Sequence, residues 1–136
     1  MIQGSNFAIK VVSTCGFASL RYCRSPYKYS HHVKIALDGG LNPNDILAIA
    51  LETQGKTSTL DLLSRTVLSI ARWMDFGSRI PDELFEILKQ NLDSERIVDV
   101  LFLISFYCGF VRFAGALEIE VEPSYADYLA NFPLPS

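Results

Sequence analysis

The apolar residues of this chain recur at the spacing of helices. The clearest run lies in the middle of the sequence and consists of Leu60, Leu63, Val67, Ile70, Ala71 and Met74. Steps of three and four residues place side chains on one face of a helix, whereas strands alternate with a period of two. No stretch of useful length shows that alternation. We therefore expect an all-α fold.

Helix start and stop residues divide this pattern into five predicted helices. Pro26, Pro43 and Pro81 each suit the first turn of a helix, and glycines suit the ends. The first two predicted helices are residues 27–38 and 43–52. A long helix follows from Thr57 or Ser58 to the stop at Gly77, with Asp61 as its capping-box acid. A short helix begins at Pro81, and a last helix runs from a cap at Asp93 or Ser94 to about Leu117.

The last predicted helix is apolar on more than one face. Its apolar side chains include Leu101, Phe102, Leu103, Ile104, Phe106, Tyr107 and Phe110. A small domain can rarely bury so much apolar surface alone, so we expect a homo-oligomer.

The apolar run 100–111 is shorter than the roughly 20 residues that span a bilayer, so we expect no membrane insertion. The aromatic tail, residues 124–136, should pack on its own domain or on a neighbouring subunit.

The composition of the chain also predicts the number of domains, the cellular compartment and the class of partner. With 136 residues, 49% of them hydrophobic, the chain is expected to form a single domain over residues 1–136. The net charge is -3 and the Lys and Arg residues are scattered, which argues against a nucleic-acid partner. Three cysteines, Cys15, Cys23 and Cys108, follow no disulfide or metal-ligand pattern. A reduced, cytoplasmic protein without a bound metal is therefore expected.

Candidate chemistry is concentrated in residues 25–41, which contain both histidines of the chain. His32 shares a helix face with Tyr29, and a histidine on an inner face can transfer protons near neutral pH. The alternative is a core histidine bonded to a backbone carbonyl. His31 projects about 100° away around the helix and is expected at the surface or at an interface.

This stretch resembles the site helix of the carboxymuconolactone decarboxylase family. One branch of that family has Tyr-Glu-Trp, then His, Ala and Gly-Leu, and the corresponding residues here are Tyr27, Lys28, Tyr29, His32, Ala36, Gly40 and Leu41. Weaker motifs extend the resemblance over residues 20–123, and residues 1–19 are atypical for the family. The resemblance implies a compact, multi-helix domain of the alkylhydroperoxidase D-like type that forms dimers, trimers or hexamers.

The resemblance also implies a cofactor-independent acid/base enzyme that decarboxylates a small carboxylated lactone or a related organic acid. In this role His32 moves the proton, while Tyr27 and Tyr29 orient the substrate. The candidate groups for holding the anionic part of the substrate are Arg24, Lys28 and Arg112. A structural ion pair, for example with Glu118, is the alternative for Arg112.

Two other functions remain open. The alkylhydroperoxidase D branch carries a Cys-x-x-Cys pair at the positions that Ser25 and Lys28 occupy here, so this chain cannot form that dithiol. Peroxide reduction would then depend on Cys23, whose pKa a helix N-terminus can lower. The third possibility is non-enzymatic: the chain keeps the fold and the oligomer and serves as a binding or assembly unit.

Overall fold

The computed structural model describes residues 26–77 and 79–134, and every regular element in these segments is helical. The elements are α1 (Pro26–Asp38), α2 (Pro43–Thr53), α3 (Leu62–Asp75), α4 (Asp82–Asn91), α5 (Ser94–Ala116), a 3-10 turn (Pro123–Tyr125) and α6 (Ala126–Asn131). The expected all-α fold class is confirmed for these residues.

Several predicted helix ends are confirmed by local hydrogen bonds. The side chains of Asn42 and Asp93 accept hydrogen bonds from backbone N–H groups in the first turns of α2 and α5. After α1, Gly40 adopts a φ of 89°, a left-handed conformation that glycine reaches without steric cost. Gly77, the predicted stop of the long helix, also adopts a left-handed conformation, with a φ of 72°.

The start of α3 differs from the prediction. The helix begins at Leu62 rather than at Thr57 or Ser58, and Asp61 is its N-cap. The Asp61 carboxylate accepts hydrogen bonds from both the backbone N–H and the hydroxyl of Ser64, at 2.8 and 2.9 Å. Because this carboxylate satisfies a first-turn donor, the helix is stabilised from residue 62 onward, and residues 56–61 remain a loop.

One apolar cluster joins the first five helices, with α3 packed against both α4 and α5, and α1 against α2. The largest fully buried apolar side chains are Ile46, Leu68, Ile70, Leu88, Ile104, Val33, Val67, Val100 and Val111. The tail turns back onto this core, since α6 packs on α1 and Tyr128, Leu129 and Phe132 contact the cluster. This return brings the 3-10 turn and the residues before it close to α1.

The long helix α5 has one buried face and one exposed face. The inner face consists of Ile97, Val100, Ile104, Cys108, Val111 and Ala114. The outer face consists of Val98, Phe102, Phe106, Phe113 and Leu117, each more than half exposed. In the described part of the chain, α5 is also the one helix long and apolar enough to cross a membrane, although a third of its 18-residue apolar window is buried. The expectation of no membrane insertion, which was based on the apolar run 100–111, therefore stays a prediction.

Candidate functional site

The two histidines of α1 lie in different surroundings. His32 has no exposed surface, and its ring meets the ring of Tyr107 on α5 edge to face, with centroids 4.9 Å apart. This contact places His32 in the core between α1 and α5. Its predicted catalytic role stays a prediction. The core position agrees with the alternative of a core histidine, and the bond to a backbone carbonyl in that alternative also stays a prediction.

The two tyrosines predicted to orient a substrate are also separated. Tyr29 is 2% exposed and belongs to the apolar core. Burial raises the pKa of Tyr29 to about 12, so its phenol stays protonated at neutral pH. Tyr27 is half-buried, and its ring lies 4.4 Å from the imidazole of His31, one helical turn further along α1. Only Tyr27 therefore accompanies a partly exposed histidine.

His31 pairs with an acid from the returning tail. Its Nε2 lies 2.9 Å from Oε2 of Glu122, and its ring stacks on Tyr125 with centroids 3.9 Å apart and planes 12° apart. The hydrogen bond with His31 holds the pKa of the Glu122 carboxyl below its usual range. The His31 side chain keeps 24% of its surface exposed, and the Glu122 side chain 49%. The packing of α6 on α1 thus assembles a histidine, a carboxylate and two tyrosine rings at the surface.

Such a pair has a definite chemical capacity. A carboxylate bonded to one ring nitrogen fixes the orientation of the imidazole and stabilises its protonated form. In the described residues only Nε2 of His31 takes part in such a bond, so Nδ1 remains for proton exchange. His31 was expected to be a surface or interface residue, and no role was predicted for Glu122. No spacing rule connects His31 with Glu122, because 91 residues separate them.

Of the residues predicted to hold a substrate anion, the structure describes the side chain of Arg112. Arg112 is half exposed and bonds through Nη2 to Oδ1 of Asp75 at 2.7 Å, while its Nη1 donates to the carbonyl of Cys108. The expected alternative partner, Glu118, follows the end of α5 and has a φ of 51°, so its backbone no longer continues the helix. Lys28 belongs to α1, whereas Arg24 and Cys23 lie outside the described residues.

A second polar feature lies at the loop between α2 and α3. It is an open cavity of about 300 Å³ lined by Glu52, Lys56, Thr57, Ser58, Arg65 and Arg72. The sequence did not reveal it, because its lining comes from α2, α3 and the loop between them, and residue spacing does not determine how separate elements pack. In the described residues, no group of three or more His, Cys, Asp or Glu side chains could hold a metal ion.

No protein-family model, curated protein or solved structure matches this chain. The resemblance to the carboxymuconolactone decarboxylase family stays a prediction based on the motif around His32. The features that can support a function are therefore local ones: the pair formed by His31 and Glu122, the outer face of α5, and the cavity beside α3.

Proposed function

We propose that the protein is a cofactor-independent acid/base enzyme that decarboxylates a small organic acid, with His31 as the proton carrier and Glu122 as its positioning partner. The observation that carries this proposal is the 2.9 Å contact between their side chains at a partly exposed position. A proton carrier must reach its substrate, and His31 keeps exposed surface whereas His32 has none. The motif that resembles the decarboxylase site helix suggests the reaction class. It places the catalytic histidine at His32, and we assign the role to the neighbouring His31 because His32 has no exposed surface.

The reaction requires a substrate whose carboxylate is attached to a carbon next to a carbonyl group, or linked to one through a carbon–carbon double bond. The bond between that carbon and the carboxylate breaks, carbon dioxide leaves, and the electron pair passes into the carbonyl to form an enolate. Protonated His31 then delivers its proton to the carbon while Glu122 holds the imidazole in position, and solvent water returns a proton to His31 for the next turnover. Tyr27 and Tyr125 contact the imidazole and carry hydroxyl groups that can bond an anionic substrate.

The direct test is carbon dioxide release from 4-carboxymuconolactone and from a panel of small β-keto acids. We expect turnover by the natural protein and a loss of about 10²- to 10⁴-fold in His31→Gln, the range for removal of a general acid. Glu120→Gln removes an exposed acid two residues from Glu122 and should leave the rate unchanged. Full activity in His31→Gln would refute the assignment of the proton carrier, and no turnover of any acid would refute decarboxylation.

We also propose that the chain self-associates through the outer face of α5. The five exposed apolar side chains of that face follow steps of four and seven residues, so they form one stripe about 28 Å long. The opposite side of α5 is packed inside the protein. A helix with one free side fits a neighbouring protein surface better than lipid on all sides.

A second copy of the chain suits this stripe because a two-fold pair sets the same surface against itself. Gly109 lies on the stripe, and a Cβ atom at this position would meet nothing within 4 Å. In an antiparallel pair centred between Ser105 and Phe106, Phe102 of each copy lies opposite Gly109 of the other. The small residue then provides a hollow for the large one. This association is compatible both with an enzyme and with an assembly unit.

A further inference from the structure

The cavity between α2 and α3 has a charge opposite to that of the whole protein. Arg65 and Arg72 are seven residues apart on α3 and therefore lie on the same side of that helix, and Lys56 comes from the loop. Glu52 is the single acid in the lining, so three cations face one carboxylate. The chain as a whole has a net charge of -3. The cavity is thus a local positive region on an acidic protein.

The single acid of this cavity already has a partner. Oε2 of Glu52 accepts a hydrogen bond from the hydroxyl of Ser58 at 2.8 Å, and Oε1 lies 3.9 Å from Nε of Arg65. Arg72 donates from Nη2 to the backbone carbonyl of Glu52 at 3.1 Å, which offsets the partial negative charge at the end of α2. The negative groups at the wall are therefore largely compensated.

Two of the cations keep hydrogen-bonding capacity. In the described residues, the ammonium of Lys56 and the guanidinium of Arg65 donate to no protein acceptor, and the 3.9 Å separation from Glu52 is too long for a hydrogen bond. The guanidinium presents its donors as a planar fork, and the ammonium presents three more. The hydroxyl of Thr57 also lines the cavity. Donors from a loop and from a helix therefore surround one open space.

We propose that this cavity binds a small phosphate-bearing anion, either inorganic phosphate or a phosphomonoester. A tetrahedral dianion accepts hydrogen bonds in several directions at once, as the separate positions of Lys56 and Arg65 require. The lining contains no apolar side chain, so a hydrophobic ligand would gain little burial here. The volume of about 300 Å³ accommodates a phosphate group and a short polar substituent.

The proposal can be tested by titrating the full chain with inorganic phosphate, glycerol 3-phosphate or acetate at constant ionic strength. Amide chemical shifts and calorimetry would give the site and the affinity. We expect phosphate and glycerol 3-phosphate to shift the amides of residues 55–58, and Lys56→Gln and Arg65→Gln each to weaken binding about tenfold. Arg79→Gln is the matched control, because Arg79 is exposed and pairs with Asp82 outside the cavity.

Each outcome bears on the proposal. Tighter binding of glycerol 3-phosphate than of inorganic phosphate would support it and identify the phosphomonoester as the ligand form, whereas the reverse would support it for free phosphate. Equal affinity for acetate would overturn the phosphate assignment. No shift of the amides of residues 55–58 in the natural protein would overturn the site itself. Weakening in Arg79→Gln equal to that in Lys56→Gln and Arg65→Gln, with all three variants shown to be folded by circular dichroism, would overturn it as well. The decarboxylation proposal is independent of all these results.

Discussion

The imidazole of His31 and the carboxylate of Glu122 lie 2.9 Å apart, although 91 residues separate them in the chain. The contact joins α1 to the segment that leads into the 3-10 turn, and the packing of α6 on α1 supports it. Tyr125 adds a stacked ring against the same imidazole. A hydrogen bond and an aromatic contact, both from the distant tail segment, thus act on one side chain and restrict its orientation.

The positioning role of Glu122 can be separated from the role of His31. We expect Glu122→Gln to lower kcat about tenfold with little change in KM, since it removes the carboxylate that orients the imidazole of His31 but no substrate contact. Steady-state kinetics of carbon dioxide release would measure both constants, with Glu120→Gln as the control. A rise in KM at constant kcat would contradict the positioning role and indicate that Glu122 contacts the substrate.

Glu122 should also link stability to acid pH. The hydrogen bond with His31 lowers the pKa of the folded carboxyl below that of an unfolded glutamate, which is about 4.3. Its contribution is therefore present above that value and is lost as the pH falls through the folded pKa. Melting curves between pH 6 and 3 should show a steeper loss of Tm in the natural protein than in Glu122→Gln. Parallel curves would show that the bond adds nothing to stability in solution.

Tyr29 should make the protein sensitive to alkaline pH. Burial raises its pKa to about 12, against about 10 in an unfolded chain. The unfolded state therefore loses the phenolic proton first, and the stabilising contribution declines from about pH 10 to about pH 12. Chemical denaturation across this range should show a shallower decline in Tyr29→Phe than in the natural protein. The prediction is wrong if the ultraviolet titration of Tyr29→Phe still contains the phenol that ionises last.

The exposed apolar stripe on the outer face of α5 predicts a dimer that substitutions within the stripe should disrupt. Light scattering should give a dimer for the natural protein and a monomer for the double variant Phe102→Ser, Phe106→Ser. Gly109→Leu should weaken the dimer, because the added side chain fills the space opposite Phe102. Leu47→Ser is the control, since Leu47 is exposed on α2. A monomer at every concentration would contradict self-association. Recovery of the natural protein only in detergent would also contradict it and would indicate that a membrane covers the outer face of α5.

Arg112 should contribute to stability rather than to substrate binding. The Asp75 side chain, 3% exposed, bonds to the guanidinium at 2.7 Å. Arg112→Gln leaves this carboxylate without its charged partner and should lower the free energy of unfolding by about 1–3 kcal/mol. A double-mutant cycle with Asp75→Asn would measure the coupling between the two side chains. Normal stability together with a raised KM would restore the substrate-binding role predicted for Arg112.

Local signals in the sequence predicted most helix ends of the fold. Asn42, Asp93, Gly40 and Gly77 each act through neighbouring backbone groups, so their effect is readable without the tertiary structure. The predicted start of α3 was wrong, although the signal there is local too. Asp61 is the N-cap of this helix, whereas it was predicted to be an acid inside the first turn. Both results depend on interactions within four residues along the chain.

The candidate sites could be predicted far less well, because they depend on contacts between distant segments. Helical geometry correctly separated the directions of His31 and His32, but it could not show that Glu122 meets His31. It also offered Glu118 as the partner of Arg112, although the chain turns away at Glu118 and Asp75 approaches from α3. Side-chain partners of this kind are fixed by how helices pack, which the spacing of residues along one helix does not determine.

Because His31 and Glu122 are far apart in the chain, the two residues are synthesised, and their contact forms, at different times. A ribosome that has made only the residues before Glu122 has already supplied the whole of α1, with its histidine but without the acid that orients it. Contacts of such high sequence separation form late, because a long segment must first be ordered. Nascent chains can therefore acquire helical content well before they acquire the proposed proton-transfer centre, and the appearance of activity would report the docking of the tail onto α1.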